Sequence, residues 1–301
     1  MNCYLILGGT GLIGSALCRH LLAQGHQVIV MSRDRNKVKI QFDSKVLPIE
    51  SLSEIHSEIV IDTVINLAGE PIADKPWTQK RKALIESSRI TLTQTLVEWL
   101  AARKQKPKTL ISGSAVGWYG DGRDVILTEQ SGFNDEYTHR LCDKWEKKAL
   151  QASQLGIRVC IIRTGLVLSA EGGILKKMLL PFKLGLGGKI GSGEQYMPWV
   201  HIDDMVALLD FLIANEQLRG IFNACSPNSV TNRVFTQTLA QALHRYALVP
   251  MPAWLLKALL GEMSCLLLTG QRTIPKRIIG SGFRFTHLEL GLALNTLLTK
   301  N

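Results

Sequence analysis

The sequence has no paired cysteines, no membrane-length apolar run and no basic tract, and each absence closes off a class of function. Its six cysteines (Cys3, Cys18, Cys142, Cys160, Cys225 and Cys265) are scattered, with no C-x-x-C pair and no metal-ligand spacing. That pattern reads as buried reduced thiols in a cytoplasmic protein and leaves no set of residues for a metal site. No apolar stretch reaches the roughly 18 residues a membrane span needs. The nearest, 255–268, is broken by Lys257 and Glu262 and predicts a helix packed on a core. Tyr4 to Leu7 is too short for a secretory h-region, and a glycine-rich turn follows at once. Acidic residues are in deficit, 25 against 35 Lys and Arg, for a net charge of +10. Yet the cations are spread over several helices, and no aromatic-interleaved basic stripe marks a nucleic-acid surface. A positive cleft for phosphate-bearing small molecules and a solvated basic surface each account for the excess.

What the chain does contain is 46% hydrophobic residues over 301 positions. That suffices for one large α/β domain, or for one domain plus a smaller cap. Strand-like apolar runs at 3–7, 27–31, 63–67, 109–112 and 158–163 alternate with helix-like segments at 12–24, 78–103 and 137–153. Short continuous apolar strands separated by helices predict a parallel sheet covered on both faces, with its ligand crevice at the carboxyl ends of the strands. After residue 163 the rhythm loosens. GLGGKIGSGE (185–194) reads as loop, and WVHIDD (199–204) ends a short strand and opens a helix at 203–214 with Asp203 or Asp204 as N-cap. From residue 227 the pattern is mostly helical, with a short FRF segment near 283. The expectation is an α/β doubly wound parallel sheet (Rossmann) over 1–224, with a substrate-side insertion at 166–199 and a smaller, mostly helical C-terminal cap at 225–301.

LILGGTGLIGS places Gly8, Gly11 and Gly14 directly after a strand and at the start of a helix. Gly8 allows the tight turn, Gly11 lets backbone approach a pyrophosphate, and Gly14 permits close helix–strand packing. Thr10, Leu12 and Ile13 complete the loop, whose helix N-terminus offers free N–H groups to phosphate. Strand before, helix after and a second strand ending near residue 31 make this a dinucleotide site. The tip of that second strand reads MSRDR, with Ser32 and Arg33 where an enzyme for the unphosphorylated coenzyme usually has an acid. A guanidinium fork suits a 2′-phosphate, so NADP(H) is preferred. Asp34, 20 residues past Gly14, keeps NAD(H) open.

Together GGTGLIG (8–14), NLAG (66–69), LISGSAVGWYGD (110–121), RTG (163–165) and WVHIDD (199–204) make the chain similar to the extended short-chain dehydrogenases/reductases, the branch of sugar-nucleotide epimerases and dehydratases. AGEPI (68–72), WTQKRK (77–82) and the segment 250–277 resemble more closely the "epimerase family" proteins, which carry a C-terminal domain of unknown function, here at 247–293. The resemblance implies that Asn66, Leu67, Ala68 and Gly69 border the coenzyme path and that Ser114 is the active-site serine, its hydroxyl bonding a substrate oxygen. It also implies a Tyr-x-x-x-Lys pair on the following helix. A tyrosine with pKa about 10 is only about 0.1% ionised at neutral pH, and equalising its two forms costs roughly 4 kcal/mol, which a lysine one turn away helps to supply.

Here that pair is missing. In DEYTHRLCDKWEKKA (135–149), alignment on Glu146 places the two positions at Thr138 and Cys142. Taking Tyr137 as the tyrosine puts Leu141 at the fourth position, with Arg140 at i+3 able to polarise but not to relay a proton. The competing reading is an amphipathic helix that buries Leu141, Trp145 and Ala149. Further acid–base or substrate candidates are Tyr119 in the loop after the serine strand, Glu70 beside the crevice and His201 in WVHIDD, which also reads as a tie between loop and strand. In the cap, Arg272 is a candidate grip for an anionic substrate. The expected partner is a small molecule, with no nucleic acid and no membrane. The resemblance adds pairing of two copies through the helices 78–103 and 137–153. The expected function is an atypical oxidoreductase or epimerase, its rival an idle coenzyme-binding regulator.

Overall fold

A computed structural model describes residues 1–299. The N-terminal half runs β1 (Cys3–Leu7), α1 (Leu12–Ala23), β2 (Gln27–Met31), α2 (Arg35–Gln41), β3 (Leu47–Ile49), β4 (Thr63–Asn66), α3 (Gln79–Glu86), α4 (Leu92–Ala102) and β5 (Thr109–Ala115). The middle adds β6 (Ile126–Leu127), α5 (Tyr137–Leu150), β7 (Arg158–Thr164), β8 (Leu166–Leu168), α6 (Gly173–Lys183), β9 (Tyr196–Met197), β10 (Trp199–His201), α7 (Ile202–Ala214) and β11 (Gly220–Ala224). The remainder holds β12 (Val230–Thr231), α8 (Asn232–Ala242), α9 (Ala253–Leu260), α10 (Cys265–Leu268), β13 (Arg272–Thr273), α11 (Lys276–Gly280) and α12 (Leu290–Thr299).

Seven strands form one all-parallel sheet in the order β11-β7-β5-β4-β1-β2-β3. The strands read as unbroken apolar runs because both faces are covered. Tyr4, Ile6, Val28 and Val30 pack on Leu17 and Leu21 of α1 and Leu208 of α7, whereas Leu5, Leu7 and Ile29 face Leu96 and Leu100 of α4 and Ala149 of α5. That alternation along a single strand is the two-residue period of extended chain. Connections leave β1 and β4 toward opposite edges of the sheet, and with Leu7 paired to Asn66 the two strands end level, opening a crevice between their carboxyl ends.

Three departures from the sequence reading matter for the site. The helix expected over 78–103 is interrupted: Thr78 caps α3 by accepting from the Arg81 N–H at 3.1 Å, and a π-helical turn, Ser87–Thr91, separates α3 from α4. The N-cap of α7 is neither aspartate but His201, whose Nδ1 accepts from the Asp203 N–H at 3.1 Å. Asp204 points the other way and accepts the N–H groups of Thr286 (2.8 Å) and His287 (2.9 Å), tying down the chain after the FRF segment. Phe283 and Phe285 are consequently buried in the same core as Tyr4 and Val28. The insertion and the C-terminal helices also share a core, in which Leu175 and Phe182 of α6 and Trp199 meet Phe235 and Leu239 of α8 and Leu294 and Leu297 of α12. Among the described residues no helix is long and apolar enough to cross a membrane. None of the six cysteines is bonded to another; five are buried and Cys265 half-buried.

Candidate active site

At the carboxyl end of β1, Gly8 adopts φ +82°, and a Cβ there would stand 2.7 Å from the Leu67 carbonyl carbon, so only glycine lets the turn pass β4. Gly14 packs more tightly still, its imaginary Cβ 2.3 Å from the Gly8 oxygen. The turn closes with the Gly11 N–H donating to the Gly8 carbonyl at 3.0 Å. Helix α1 then starts with no side-chain cap on Gly11 and no acid in its first turn. Its leading N–H groups therefore carry the helix's partial positive charge with nothing from the chain to spend it on, which fits a pyrophosphate. Thr10 and Leu12 are half-buried in this loop, with Leu12 reaching Gly172 and Gly173, and Ile13 packs onto the core.

At the tip of β2 the two readings of the coenzyme separate. Asp34 is the N-cap of α2, its carboxylate accepting from the Lys37 N–H at 2.9 Å, so it is spent on the helix rather than offered to a ribose diol. Arg35 is likewise committed, to Glu54 and Glu50. Arg33 keeps a side chain 89% exposed and makes one loose contact, 3.4 Å, to Glu70. Ser32 Oγ accepts from the Asp34 N–H at 3.3 Å.

The end of β4 is locked rather than open. Asn66 is buried and donates through Nδ2 to Thr93 Oγ1 at 2.8 Å, and that hydroxyl also receives Trp145 Nε1 at 3.0 Å. Leu67 continues the ladder to Leu7, and Ala68 donates to Asn66 Oδ1 at 3.4 Å. Glu70 is bound by Arg81 at 3.0 Å, and that arginine's hydrogen bond, helped by Arg33, holds the Glu70 carboxyl below the usual range against a smaller upward push from burial. It is a fixed carboxylate and no proton donor.

On the next strand, Ser114 lies one residue before the end of β5, opposite Arg163 of β7. Its Oγ donates to Glu146 Oε1 at 2.6 Å, and Arg163 holds both oxygens of Glu146, through Nε and Nη2, each at 2.9 Å. All three side chains are buried, and the Trp118 ring covers the guanidinium with its centroid 3.4 Å from Cζ. In the sequence Glu146 serves only as a point of alignment for the helix, and nothing near Arg163 signals this role. The bidentate pair fixes the serine rotamer, and with its proton given to Glu146 the serine oxygen keeps lone pairs that can accept.

Helix α5 buries Leu141, Trp145 and Ala149. Thr138 lies against Gly117, whose imaginary Cβ stands 3.2 Å from its own, and the Cys142 thiol sits beside Ser114 and the Ala115 backbone, pushed up to about 11 by burial and the Glu146 charge. Tyr137 does not pair with Arg140, which bonds Asp135 at 2.8 Å on the surface. The Tyr137 ring instead meets Trp77 edge-on at 4.9 Å with Lys82 Nζ 4.5 Å from its centroid, and burial pushes its hydroxyl up to about 12. Tyr119 is buried with its hydroxyl bonded to Asn223 at 2.8 Å, and burial raises it to about 12 as well. His201 is buried, stacked on His287 at 3.6 Å besides capping α7. Tyr119 is thus tied to β11, and His201 fits the reading of it as a tie between loop and strand. His201, Asp203 and His287 bring ligand-type atoms within 4.8 Å of one another, but His201 Nδ1 is already an acceptor for backbone. Arg272 reaches the Asp124 carbonyl at 3.5 Å and stacks over Tyr196 at 5.0 Å, joining the cap to the loop after β5. Two surface cavities, about 420 and 450 Å³, are lined by neither Ser114 nor Gly69.

A doubly wound sheet with an uncapped glycine turn at its switch point defines a dinucleotide-binding protein. The chain belongs to the NAD-dependent epimerase/dehydratase family, whose model matches residues 4–225, and a domain of unknown function matches 251–297. The epimerase family protein YfhF of Bacillus subtilis is 38% identical over 293 residues, covering 97% of this chain and 96% of that one. A Staphylococcus aureus epimerase family protein is 36% identical over the full length of both chains. Among solved structures, human epimerase family protein SDR39U1 with NADPH superposes with a TM-score of 0.90 at 33% identity, over 99% of this chain and 100% of that one. A nucleoside-diphosphate sugar epimerase from Corynebacterium glutamicum gives 0.77 at 30% identity, over 100% of this chain and 59% of that one.

Proposed function

We propose that this protein is an NADP(H)-dependent oxidoreductase or epimerase acting on a small anionic or nucleotide-linked substrate. The observation that carries the reading is the juxtaposition, at the carboxyl ends of the central strands, of an uncapped α1 N-terminus and a serine hydroxyl oriented by a buried ion pair. The coenzyme would supply hydride chemistry at its nicotinamide ring. The chain's own part is to bind and orient: the 8–14 turn holds the pyrophosphate, Arg33 and Ser32 engage the 2′-phosphate, and Ser114 accepts a hydrogen bond from a substrate hydroxyl. The commitment of Asp34 to α2 and the NADPH in the human relative support the phosphorylated coenzyme.

Two outcomes test this. Arg33→Ala is expected to weaken NADPH about tenfold while changing NADH less than about twofold, as measured by calorimetry, because a charge-assisted bond to the 2′-phosphate is worth ~1.5–3 kcal/mol and is screened at so exposed a side chain. Equal losses for both coenzymes would remove the 2′-phosphate role. With carbonyl and sugar-nucleotide panels, NADPH oxidation is expected with at least one compound, and Ser114→Ala is expected to cut that turnover about a hundredfold while coenzyme affinity holds. The second reading, a coenzyme-binding regulator, is favoured by Thr138 and Cys142 standing where a proton-relaying pair would be. Tight coenzyme binding with no turnover across the panels would establish it.

A further inference from the structure

Arg89 holds neither the coenzyme turn nor Ser114. It lies in the π-helical turn Ser87–Thr91, a wider turn than the α-helix on either side, of the kind that recurs at functional sites. Its guanidinium rests on Gly69 at the end of the β4 connection: a Cβ there would stand 2.9 Å from Cζ, 3.0 Å from Nη2 and 3.2 Å from Nε. Glycine at 69 therefore makes room for the arginine. Trp145 flanks the group, its ring centroid 5.4 Å from Cζ. Nη1 is anchored, donating to the Ile85 carbonyl at 3.2 Å and to Ser88 Oγ at 3.5 Å. Among the described residues, Nε and Nη2 have no hydrogen-bond partner and no carboxylate pairs with Arg89.

That leaves a half-buried cation without a counter-ion, which a protein interior tolerates poorly. Burial lowers its affinity for the proton from the ordinary arginine value, with Cys142, Tyr137 and Glu70 the neighbours that oppose the shift. Glu70 does not serve as its partner, being held by Arg81 and Arg33. A second group close by is also unspent: the Tyr137 hydroxyl is buried with no hydrogen-bond partner. An anion seated at the Nε–Nη2 edge would satisfy the charge.

We infer that Arg89 binds the carboxylate of the substrate, its Nε and Nη2 donating one bond to each oxygen. The planar fork matches a planar carboxylate, and one cation balances one negative charge. The coenzyme's own anions have other places, the pyrophosphate at α1 beyond β1 and the 2′-phosphate at the tip of β2. This assignment rests on the coenzyme reading of the crevice and adds to it the charge class of the substrate.

The test uses full-length protein, with and without NADP⁺, titrated calorimetrically with oxalate as the carboxylate probe and inorganic phosphate as the alternative oxyanion. Oxalate is expected to bind, and Arg89→Gln to weaken it about tenfold or more. Arg89→Lys should fall between the two, since it keeps the charge and loses the fork. NADP⁺ affinity should stay within about twofold in both variants, with far-UV dichroism and melting verifying that they fold. Oxalate binding that is absent, or unchanged in Arg89→Gln, overturns the assignment. So does a parallel loss of NADP⁺, which would make Arg89 a coenzyme residue, or phosphate bound through Arg89 more tightly than oxalate. Oxalate bound through Arg89 by a protein that takes no coenzyme would refute the coenzyme reading and leave the anion site standing.

Discussion

Gly14→Ala is expected to abolish measurable coenzyme binding, with affinity for NADPH falling by more than about a hundredfold. The added methyl would lie 2.3 Å from the Gly8 oxygen and 2.8 Å from the Gly9 Cα. Both are backbone atoms of a turn pinned between β1 and β4, so neither can swing aside as the end of a flexible side chain would. Relief comes only by moving α1 away from the turn, and that displaces the N–H groups that face the pyrophosphate. Overpacking of this kind costs about 1–3 kcal/mol of stability, so a modest loss of unfolding free energy should accompany the loss of binding. Calorimetry with NADPH checks the first effect and urea denaturation the second. A variant binding NADPH with undiminished affinity would mean that the phosphates are not held at this turn.

The second large effect concerns the ion pair behind Ser114. Arg163→Met should destabilise the fold by about 3–5 kcal/mol, because it leaves the buried Glu146 carboxylate with a single serine donor. The Trp118 ring also loses the cation it covers. Replacing both charges, Glu146→Leu with Arg163→Met, should restore most of that stability, since removing a buried pair together is far cheaper than orphaning one member. The double variant should nonetheless lose turnover, its serine no longer oriented. The urea midpoints of the wild type, the two single variants and the double variant form a closed cycle. A single variant as stable as the wild type would show that the pair is solvated and does not fix the serine.

How much of this was legible in the sequence follows from how local each constraint is. The five apolar runs and the 8–14 turn could be read directly, because burial on both faces and a positive φ are demands that a few adjacent residues must meet. β3 and α2 were missed because they are short, Leu47 of β3 being half exposed at the edge of the sheet. Asp34 was ambiguous for a different reason: capping a helix and holding a ribose ask for the same carboxylate, and only the backbone around it decides. The histidine cap of α7 went unread because two aspartates follow it and aspartate is the stronger N-cap former. Ser114, Glu146 and Arg163 come together across 32 and 17 residues from three elements, so no spacing rule announces them. The π turn left no trace because the same residues serve equally well in an α-helix. Arg89 has nothing in its sequence neighbours to set it apart from other charges on a long helix.

The burial of Phe283 and Phe285 beneath the sheet bears on how the molecule is made. A ribosome delivers β1 through β7, with α1 on this face, long before those two rings, so the part of the face that they close must wait while some hundred further residues emerge. The Asp204 clasp on Thr286 and His287 can shut only then. Chaperone protection would matter most during that interval.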